Sequence, residues 1–268
     1  MLKPKKSLGQ NFLKSKKTAQ RIVDLLDPHA DDVILEIGPG TGVMTEILIE
    51  SGAKVYAVDI DQRMINFLAQ KYARARNLEA VHSDIMDYDF DQIESKERIK
   101  VIGNLPYHMT SPILEKICYF HHKIDFAILT VQKEVAARIT AEVGSSDYSA
   151  LTIFINNYCN AEVMFDLGRK QFHPPPEVTS SVIRLDFFKK PLIDPGRYLL
   201  IRDLIKKLFS QRRKKVVNSL MNRLNMSREK AQEILDDASI DKNNRPQNIS
   251  LEEYVRLADA LYKYDVEL

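Results

Sequence analysis

Residues 33–131 alternate short apolar segments with segments of helical spacing, and this alternation restricts the folds open to the chain. Five of the apolar segments have the length and composition of buried strands. They lie at 33–37, 55–59, 78–82, 99–104 and 124–131. Because strands that alternate with helices form parallel sheets covered by helices, we expect an α/β fold here.

The pattern changes towards the C-terminus. Segments 159–167 and 179–188 look like strands with no helical segment between them, which predicts an antiparallel pair closing one sheet edge. The three prolines between them cannot sit in a helix or inside a sheet ladder. Helical spacing follows, and Ser227 and Ser250 precede acids in the pattern of a helix start. We predict an α/β domain over 1–190, with a basic N-terminal arm, and a small helical domain over 197–268.

The net charge of +2 conceals an uneven distribution. Residues 1–21 carry +7 and residues 197–230 carry +9, which leaves the rest of the chain at −14. Such segregation is typical of a protein that binds a polyanion. Two solvated basic helix faces would give the same pattern, so charge alone leaves nucleic acid as one of two interpretations.

A glycine-rich turn, Glu36–Gly42, lies between the first predicted strand and a predicted helix. A dinucleotide motif would need a third glycine where this chain has Val43 or Thr45. The pattern of one acid and three glycines instead resembles the first motif of class I methyltransferases, which bind S-adenosylmethionine (SAM). A glycine-rich connector without a ligand is the alternative.

Two acids follow the next two predicted strands. Asp59 ends the second strand, where a carboxylate can accept both hydroxyls of a ribose. Asp84 follows the third strand, where a carboxylate can meet the amino group of adenine. Taken singly, either acid could simply cap a helix.

The fourth predicted strand runs into Asn104-Leu105-Pro106-Tyr107. An exocyclic amine on adenine is a poor nucleophile, because its lone pair is conjugated into the ring. The side-chain carbonyl of Asn104 and the backbone carbonyl of Leu105 could accept both of its N–H bonds and favour the pyramidal amine. Pro106 has no N–H, and Tyr107 offers an aromatic face to the base. The alternative is an Asn-Pro turn beside a core tyrosine.

One aromatic residue, Phe172, precedes the proline run. It could form a second wall around a base turned out of its stack. A core position is the alternative for any single phenylalanine.

Taken together, these motifs resemble those of the small-subunit rRNA adenine dimethyltransferases of the KsgA type. The similarity extends nearly from end to end. It includes Ser7–Leu13, the glycine turn, Asn104–Tyr107, Phe172 with its prolines, Phe209–Lys215 and Arg245–Ser250. It implies a Rossmann-like class I sheet followed by the small helical domain.

The resemblance also implies a reaction and a set of functional residues. The reaction would be N6,N6-dimethylation of two adjacent adenosines near the 3′ end of 16S rRNA in the small ribosomal subunit, with SAM as donor, late in ribosome assembly. The catalytic residues would be Asn104, Leu105, Pro106, Tyr107 and Phe172. The SAM-binding residues would be Gln10, Asn11, Leu13, Glu36, Gly38, Gly40, Gly42, Asp59, Ile60, Asp84, Ile85 and Asn104. RNA would be bound by Lys206, Lys207, Arg212, Arg213, Lys214 and Lys215.

Two departures from the family pattern concern the site. Asp59 stands where the family usually has Glu, and His108-Met109-Thr110 replaces the commoner Asn-Ile-Ser. Neither change removes a required functional group, so we expect an active enzyme. The alternatives are a methyltransferase of large-subunit (23S) rRNA, a non-catalytic assembly factor on the same fold, and a DNA adenine methyltransferase.

The remaining expectations are negative. Cys118 and Cys159 are far apart in sequence and form no disulfide or zinc pattern, and we expect no metal. There is no run of eighteen apolar residues and no secretory signal at the N-terminus. These features predict a cytoplasmic protein with no membrane association, and nothing in the sequence suggests an obligate oligomer, so we expect a monomer.

Overall fold

The computed structural model of the chain describes residues 3–266. This part of the chain divides into two compact units. The first takes in everything up to Ala136 together with Cys159–Lys190, and the second holds Ala137–Tyr158 and everything from Pro191 onward.

The first unit contains the strands and the second contains mainly helices. The strands are β1 (Phe12–Leu13), β2 (Val33–Ile37), β3 (Lys54–Asp59), β4 (Leu78–His82), β5 (Ile99–Asn104), β6 (Ile124–Gln132), β7 (Cys159–Leu167), β8 (Phe172–His173) and β9 (Ser180–Phe187). The helices are α1 (Lys16–Asp24), α2 (Val43–Glu50), α3 (Gln62–Lys71), α4 (Thr110–Tyr119), α5 (Lys133–Ile139), α6 (Ala150–Tyr158), α7 (Pro195–Phe209), α8 (Val216–Arg223), α9 (Arg228–Asp237) and α10 (Leu251–Lys263).

The main sheet has seven strands in the order β4-β3-β2-β5-β6-β9-β7. The first five are parallel, which confirms the predicted α/β fold. Its central strands are buried and apolar, as expected where helices cover a parallel sheet. β9 runs antiparallel to both β6 and β7, so the predicted antiparallel pair is also confirmed.

The strand order reverses between β2 and β5. From β2 the chain proceeds to β3 and β4 on one side, and it returns to β5 on the other. Loops that leave the carboxyl ends of such neighbours diverge and open a crevice, where α/β proteins bind ligands. The glycine turn follows β2, and the Asn104 motif ends β5.

A second, two-stranded sheet was not predicted. β1 pairs antiparallel with β8, with Phe12 opposite His173 and Leu13 opposite Phe172. The backbone N–H of Lys14 also donates to the carbonyl of Gln171, at 2.9 Å. The N-terminal segment is therefore fastened to the chain just ahead of the proline run. The prolines themselves lie outside the ladder, as their missing N–H groups require.

The observed division differs from the predicted one, which placed all of residues 1–190 in the first domain. Residues 137–158 instead cluster with the C-terminal helices. The sequence analysis assigned no element to α6. The ring of Phe154 lies 5.7 Å from that of Tyr198, and the side chain of Asn157 accepts from the N–H of Ile193 at 2.7 Å. These contacts join α6 to Ile193, which lies between the two predicted domains, and to Tyr198 in the predicted helical domain. The helical unit therefore includes an inserted piece of chain from between β6 and β7.

Both predicted serine caps in the helical unit are present. The Ser227 hydroxyl accepts from the N–H of Lys230 at 3.2 Å, and the Ser250 hydroxyl accepts from the N–H of Glu253 at 3.3 Å. The Glu253 carboxylate accepts in return from the N–H of Ser250 at 2.8 Å, which completes a capping box. Across the described residues, no helix is both long enough and apolar enough to span a membrane.

Phe172 belongs to the hydrophobic core of the first unit. Its side chain is 1% exposed and packs in a cluster that includes Leu13, Ile22, Leu26 and Val182. The predicted role of a second base wall requires a ring face open to a ligand, whereas the structure buries the ring in the core cluster that includes Leu13 of β1. The physical reason is that β8 pairs with β1, and this pairing carries Phe172 inward.

Replacement of Phe172 tests the core position. Phe172→Ala should destabilise the protein by about 3–5 kcal/mol, the usual cost of emptying a packed aromatic site. Phe172→Leu should cost below about 1.5 kcal/mol, since it preserves most of the volume. Urea denaturation would measure both, with Val178→Ala as the control because Val178 is 43% exposed in the same connection. A stable Phe172→Ala protein would show that the ring is not a core element.

Candidate cofactor and substrate site

A cavity of about 230 Å³ opens at the carboxyl ends of β2, β3, β4 and β5. The glycine turn, the acids after β3 and β4, and the Asn104 motif each contribute to its wall. Leu8–Phe12 form a further wall. The parallel arrangement explains this convergence, because the carboxyl ends of parallel strands meet at one edge of the sheet.

All three glycines of the turn have positive φ, at +67° for Gly38, +54° for Gly40 and +77° for Gly42. A Cβ at Gly40 would lie 2.8 Å from the Phe12 ring, and one at Gly42 would lie 2.6 Å from Leu68. A Cβ at Gly38 would meet no side chain within 4 Å. Gly40 and Gly42 therefore allow close packing, whereas Gly38 leaves an open stretch of backbone facing the cavity.

The two predicted acids both line the cavity. The Asp59 carboxylate accepts from the N–H of Asp61 at 2.8 Å and from the N–H of Gly40 at 3.4 Å. The Asp84 carboxylate accepts from the N–H of Met86 at 2.9 Å. Each carboxylate oxygen can accept a second hydrogen bond, so both acids are oriented by the backbone and still available to a ligand. Burial raises the pKa of Asp59, and the two backbone donors oppose that shift.

Glu36, the acid of the glycine motif, lies behind the cavity wall and is fully buried. Its Oε2 accepts from the Thr45 hydroxyl at 2.6 Å, and its Oε1 has no hydrogen-bond partner among the described residues. Burial raises the pKa of Glu36 to about 7, against the opposing effect of the Thr45 hydroxyl. A buried oxygen with a free lone pair is suited to accept from a ligand group or a water at the glycine turn.

The side chain of Asn104 is held from the N-terminal side of the chain. Its Nδ2 donates to the backbone carbonyl of Asn11 at 2.8 Å. The bond occupies the Nδ2 end of the amide, and the side-chain carbonyl, which is the acceptor predicted from the sequence, has no hydrogen-bond partner among the described residues. The hydroxyl of Thr110 donates to the Pro106 carbonyl at 3.3 Å, which supports the turn behind the motif.

Tyr107 is fixed at its far end. Its hydroxyl shares a hydrogen bond of 2.8 Å with the hydroxyl of Ser180, which is fully buried at the start of β9. Burial raises the pKa of Tyr107, and the bond to Ser180 opposes that shift. Ser180 was not predicted, because nothing in the sequence links its position to residue 107. The tyrosine ring therefore enters the cavity wall with its orientation set.

The structure brings most of the predicted site residues together. Those that line the cavity are Gln10, Asn11, Gly38, Gly40, Asp59, Ile60, Asp84, Ile85, Asn104, Leu105, Pro106 and Tyr107. Leu13 lines a smaller neighbouring recess with Gly38, Gly40 and Asn104. Glu36, Gly42 and Phe172 line neither, and they support the wall from behind. The assigned roles of all these residues remain predictions.

Several residues of the wall were missed. They are Leu8, Gly9, Phe12, Ile37, Val58, Ser83, His108, Met109 and Ile113. Most are apolar, and a single apolar residue carries no signal of its own beside a predicted strand end. His108 had a signal, since it interrupts the family pattern after Tyr107. Its ring would lie 2.9 Å from a Cβ at Gly9, so the imidazole packs directly against the N-terminal wall.

The predicted RNA-binding residues divide into three pairs within the helical unit. Arg212 and Lys215 have partners in the protein: Arg212 donates to Gln247 at 3.1 Å and to the carbonyl of Ser146, and Lys215 donates to Asn243 at 2.7 Å. Arg213 and Lys214 are exposed to solvent. Lys206 and Lys207 lie in the last turn of α7, where cations interact favourably with the helix dipole.

The wall has the donors and acceptors that SAM needs. Two oriented carboxylates and an open glycine backbone border a largely apolar recess, and the unpartnered buried oxygen of Glu36 lies behind its wall. Among the described residues, no cluster of three or more His, Cys, Asp or Glu side chains is placed to hold a metal.

The buried acid gives a prediction about pH. An unfolded Glu36 ionises near 4.5 and the folded one near 7, so the folded state holds the extra proton between these values. Stability should therefore fall as pH rises from 4.5 to 7, by on the order of 3 kcal/mol from this group. Glu36→Gln preserves an acceptor for Thr45 and carries no titrating proton. Urea unfolding at pH 5 and pH 7.5 should show that the free energy of unfolding falls less with pH in Glu36→Gln than in the wild type. Equal decreases in the two proteins would contradict the raised pKa of Glu36.

Comparison with known proteins agrees with this geometry. The ribosomal RNA small subunit methyltransferase A of Alkaliphilus metalliredigens is 38% identical, over 94% of this chain and 90% of its own. The Mycoplasma mycoides protein of the same name is 35% identical, over 97% and 98%. A dimethyladenosine transferase from Plasmodium falciparum has a similar structure, with a TM-score of 0.81, 26% identity and coverage of 95% and 98%.

A second solved structure, the 23S rRNA methyltransferase ErmE, has a TM-score of 0.70 at 26% identity, covering 94% of this chain and all of its own. Both structures support the class I methyltransferase fold, with SAM as the cofactor. The family model described as "Ribosomal RNA adenine dimethylase" matches residues 1–263. The chain therefore belongs to the ribosomal RNA adenine dimethylase family, and it is an enzyme of that family.

Proposed function

We propose that the protein transfers methyl groups from SAM to N6 of two adjacent adenosines near the 3′ end of small-subunit rRNA, late in ribosome assembly. One observation supports this most directly. Asn104, whose side-chain Nδ2 is held by the Asn11 carbonyl at 2.8 Å, lines a cavity whose wall also carries two oriented carboxylates. An acceptor for an amine thus lies beside acceptors for a nucleoside.

On the cofactor side, the backbone sets the acceptors in advance. Asp59 would accept from ribose hydroxyls and Asp84 from the adenine amino group. Ile60 and Ile85 would cover the adenine faces, and Gly38 would let the ligand approach the backbone. When bound, SAM supplies an electrophilic methyl group on a sulfonium.

On the substrate side, Asn104 and the Leu105 carbonyl would accept both N–H bonds of the adenine amine. That arrangement favours the pyramidal amine, in which the lone pair is free to react, and so acts in the transition state. Tyr107, fixed by Ser180, would stack on the base. The remaining contribution is alignment of the attacking nitrogen with the methyl group. The amine releases its proton after transfer, so no strong base is required.

The choice of RNA is proposed from the relatives. Those at 35–38% identity are named for the small ribosomal subunit. ErmE, named for 23S rRNA, has the lower TM-score of the two structures compared. The exposed cations of the helical unit would contact RNA phosphates, which position a substrate without specifying its sequence. We further propose that the enzyme acts as a cytoplasmic monomer.

Methyl transfer to small ribosomal subunits that lack the modification tests the whole proposal. We expect labelled methyl groups from SAM on two neighbouring adenosines near the 3′ end, located by mass mapping of the rRNA. Transfer to large-subunit RNA alone would favour the 23S alternative. SAM binding without transfer to either RNA would favour a non-catalytic factor, and transfer to DNA would favour a DNA methyltransferase.

Asn104→Ala tests the amine acceptor. The change should lower kcat by about 100-fold, because the interaction is made mainly in the transition state. The dissociation constant for SAM should change much less. Calorimetry and single-turnover kinetics would separate the two effects. Near-normal turnover would show that Asn104 is not the acceptor.

The division of the basic residues gives a second prediction. Arg213→Gln/Lys214→Gln should weaken binding to the small subunit and reduce the slope of log K against log salt by about two. Stability should not change, because both side chains are exposed. Arg212→Ala should lower the thermal stability as well, since Arg212 bonds to Gln247 and Ser146.

The matched control is Lys230→Gln/Lys242→Gln, which removes the same charge from other exposed or half-exposed positions in the helical unit. If both double variants lose the same affinity for the small subunit, the loss comes from the change in net charge and not from the position of Arg213 and Lys214.

A further inference from the structure

A buried carboxylate at the start of α3 is bound by the N-terminal arm, defined here as residues 3–13. The Asp61 side chain is 1% exposed. It accepts from Gln10 Nε2 at 3.2 Å and from Lys5 Nζ at 3.5 Å. Arg63 completes the set, with Nε at 3.0 Å and Nη2 at 2.5 Å. Three donor side chains from two separate parts of the chain therefore converge on one carboxylate.

Gln10 extends this link into the arm. While its amide N–H bonds to Asp61, its side-chain carbonyl accepts from the backbone N–H of Lys5, at 2.8 Å. Both ends of the Gln10 side chain are thus used to hold the arm in shape. Arg63 adds a bond of 3.4 Å to the carbonyl of Lys3. These contacts fix the part of the arm that precedes the cavity wall.

Asp61 is also joined to the side of the cavity that is proposed to bind the cofactor. The backbone N–H of Asp61 donates to the carboxylate of Asp59 at 2.8 Å. Leu8–Phe12, the next part of the arm, line the cavity. At its other end the arm is held by β1 pairing with β8 and by the Asn11 carbonyl on Asn104. The wall segment is therefore fastened on both sides, and Asp61 is the attachment on the N-terminal side.

We propose that Asp61 is a positioning residue that fastens the N-terminal arm across the SAM cavity and orients Asp59 from the same point. This inference rests on the cofactor side of the proposed function. The carboxylate holds its charge throughout the physiological range, because Arg63 keeps the pKa of Asp61 far below its usual value. Bonds to a buried ionised carboxylate are stronger than neutral ones, so this attachment is more than a loose surface contact.

A purely local role for Asp61 is the alternative. Its carboxylate also caps α3, by accepting from the N–H of Arg63 at 3.2 Å. Serine caps helices about as well as aspartate, but its short neutral side chain cannot reach Gln10 and Lys5. Asp61→Ser therefore preserves the cap and removes the attachment. Asp194→Ser is the matched control, since Asp194 caps α7 in the helical unit without any arm contact among the described residues.

Two measurements on the full-length protein test the proposal without RNA. Asp61→Ser should weaken binding of SAM about tenfold, as expected for the loss of a charge-assisted hydrogen-bond set, measured by calorimetry. It should also accelerate tryptic cleavage within residues 1–10, followed by mass spectrometry. Asp194→Ser should change neither value.

Unchanged affinity together with unchanged cleavage would overturn the proposal. Weaker SAM binding with normal cleavage would overturn it too, because the loss of affinity would then not come from release of the arm. If Asp61→Ser fails to fold, Gln10→Ala provides the same test from the arm side and leaves the α3 cap intact. Where both single variants fold, Gln10→Ala should add little to the cleavage rate of Asp61→Ser, and full additivity of the two effects on cleavage would count against the link.

The outcome is independent of the choice of RNA. If the wild-type protein binds SAM and the arm responds as expected, but no methyl group reaches small-subunit rRNA, the attachment holds and the proposed substrate is wrong.

Discussion

The site depends on the pairing of β2 with β5. This pair lies where the strand order reverses, so the two following loops diverge and leave a crevice between them. The register places Ile37 opposite Gly103, which sets the glycine turn directly beside Asn104. A Cβ at Gly103 would lie 2.9 Å from the Ile37 carbonyl. Gly103 is therefore required for the close approach of these two strands, one followed by the glycine turn and the other ending at Asn104.

The N-terminal arm forms the part of the cavity wall that the ends of the strands leave open. Its Asn11 carbonyl holds the Asn104 amide, and its Phe12 ring fills the space against Gly40. The arm thus touches the substrate side and the cofactor side of one cavity. Because β1 and β8 pair, the position of the arm depends in turn on the segment ahead of the prolines. The cavity wall is a joint product of the first residues of the chain and of residues about 160 positions later.

Local pattern accounts for what the sequence could predict. Alternating periodicity located the five parallel strands, and residue chemistry at the strand ends located the glycine turn, Asp59, Asp84 and Asn104. The pairing of β1 with β8 could not be found in this way, because two residues carry no periodicity. The apolar segment of α6 has a helical composition, but its place with the C-terminal helices depends on partners such as Tyr198. The burial of Phe172 follows from the same unpredicted strand pair, so its place in the core could not be expected from residue chemistry alone.

The shorter acid at position 59 illustrates how backbone geometry can compensate for a side chain. The sequence analysis identified Asp59 as a departure from the usual Glu, one methylene shorter. In the structure, its carboxylate is bound by the N–H groups of Asp61 and Gly40 and still lines the cavity. A shorter side chain has fewer rotamers to lose and lies closer to those backbone donors. The Asp59 side chain is shorter than that of Glu but is held in a fixed orientation. Its carboxylate oxygens keep lone pairs that can accept from ligand hydroxyls. The Asp61 N–H that provides this orientation belongs to the residue whose carboxylate bonds to the arm, so Asp59 and this part of the cavity wall are positioned together.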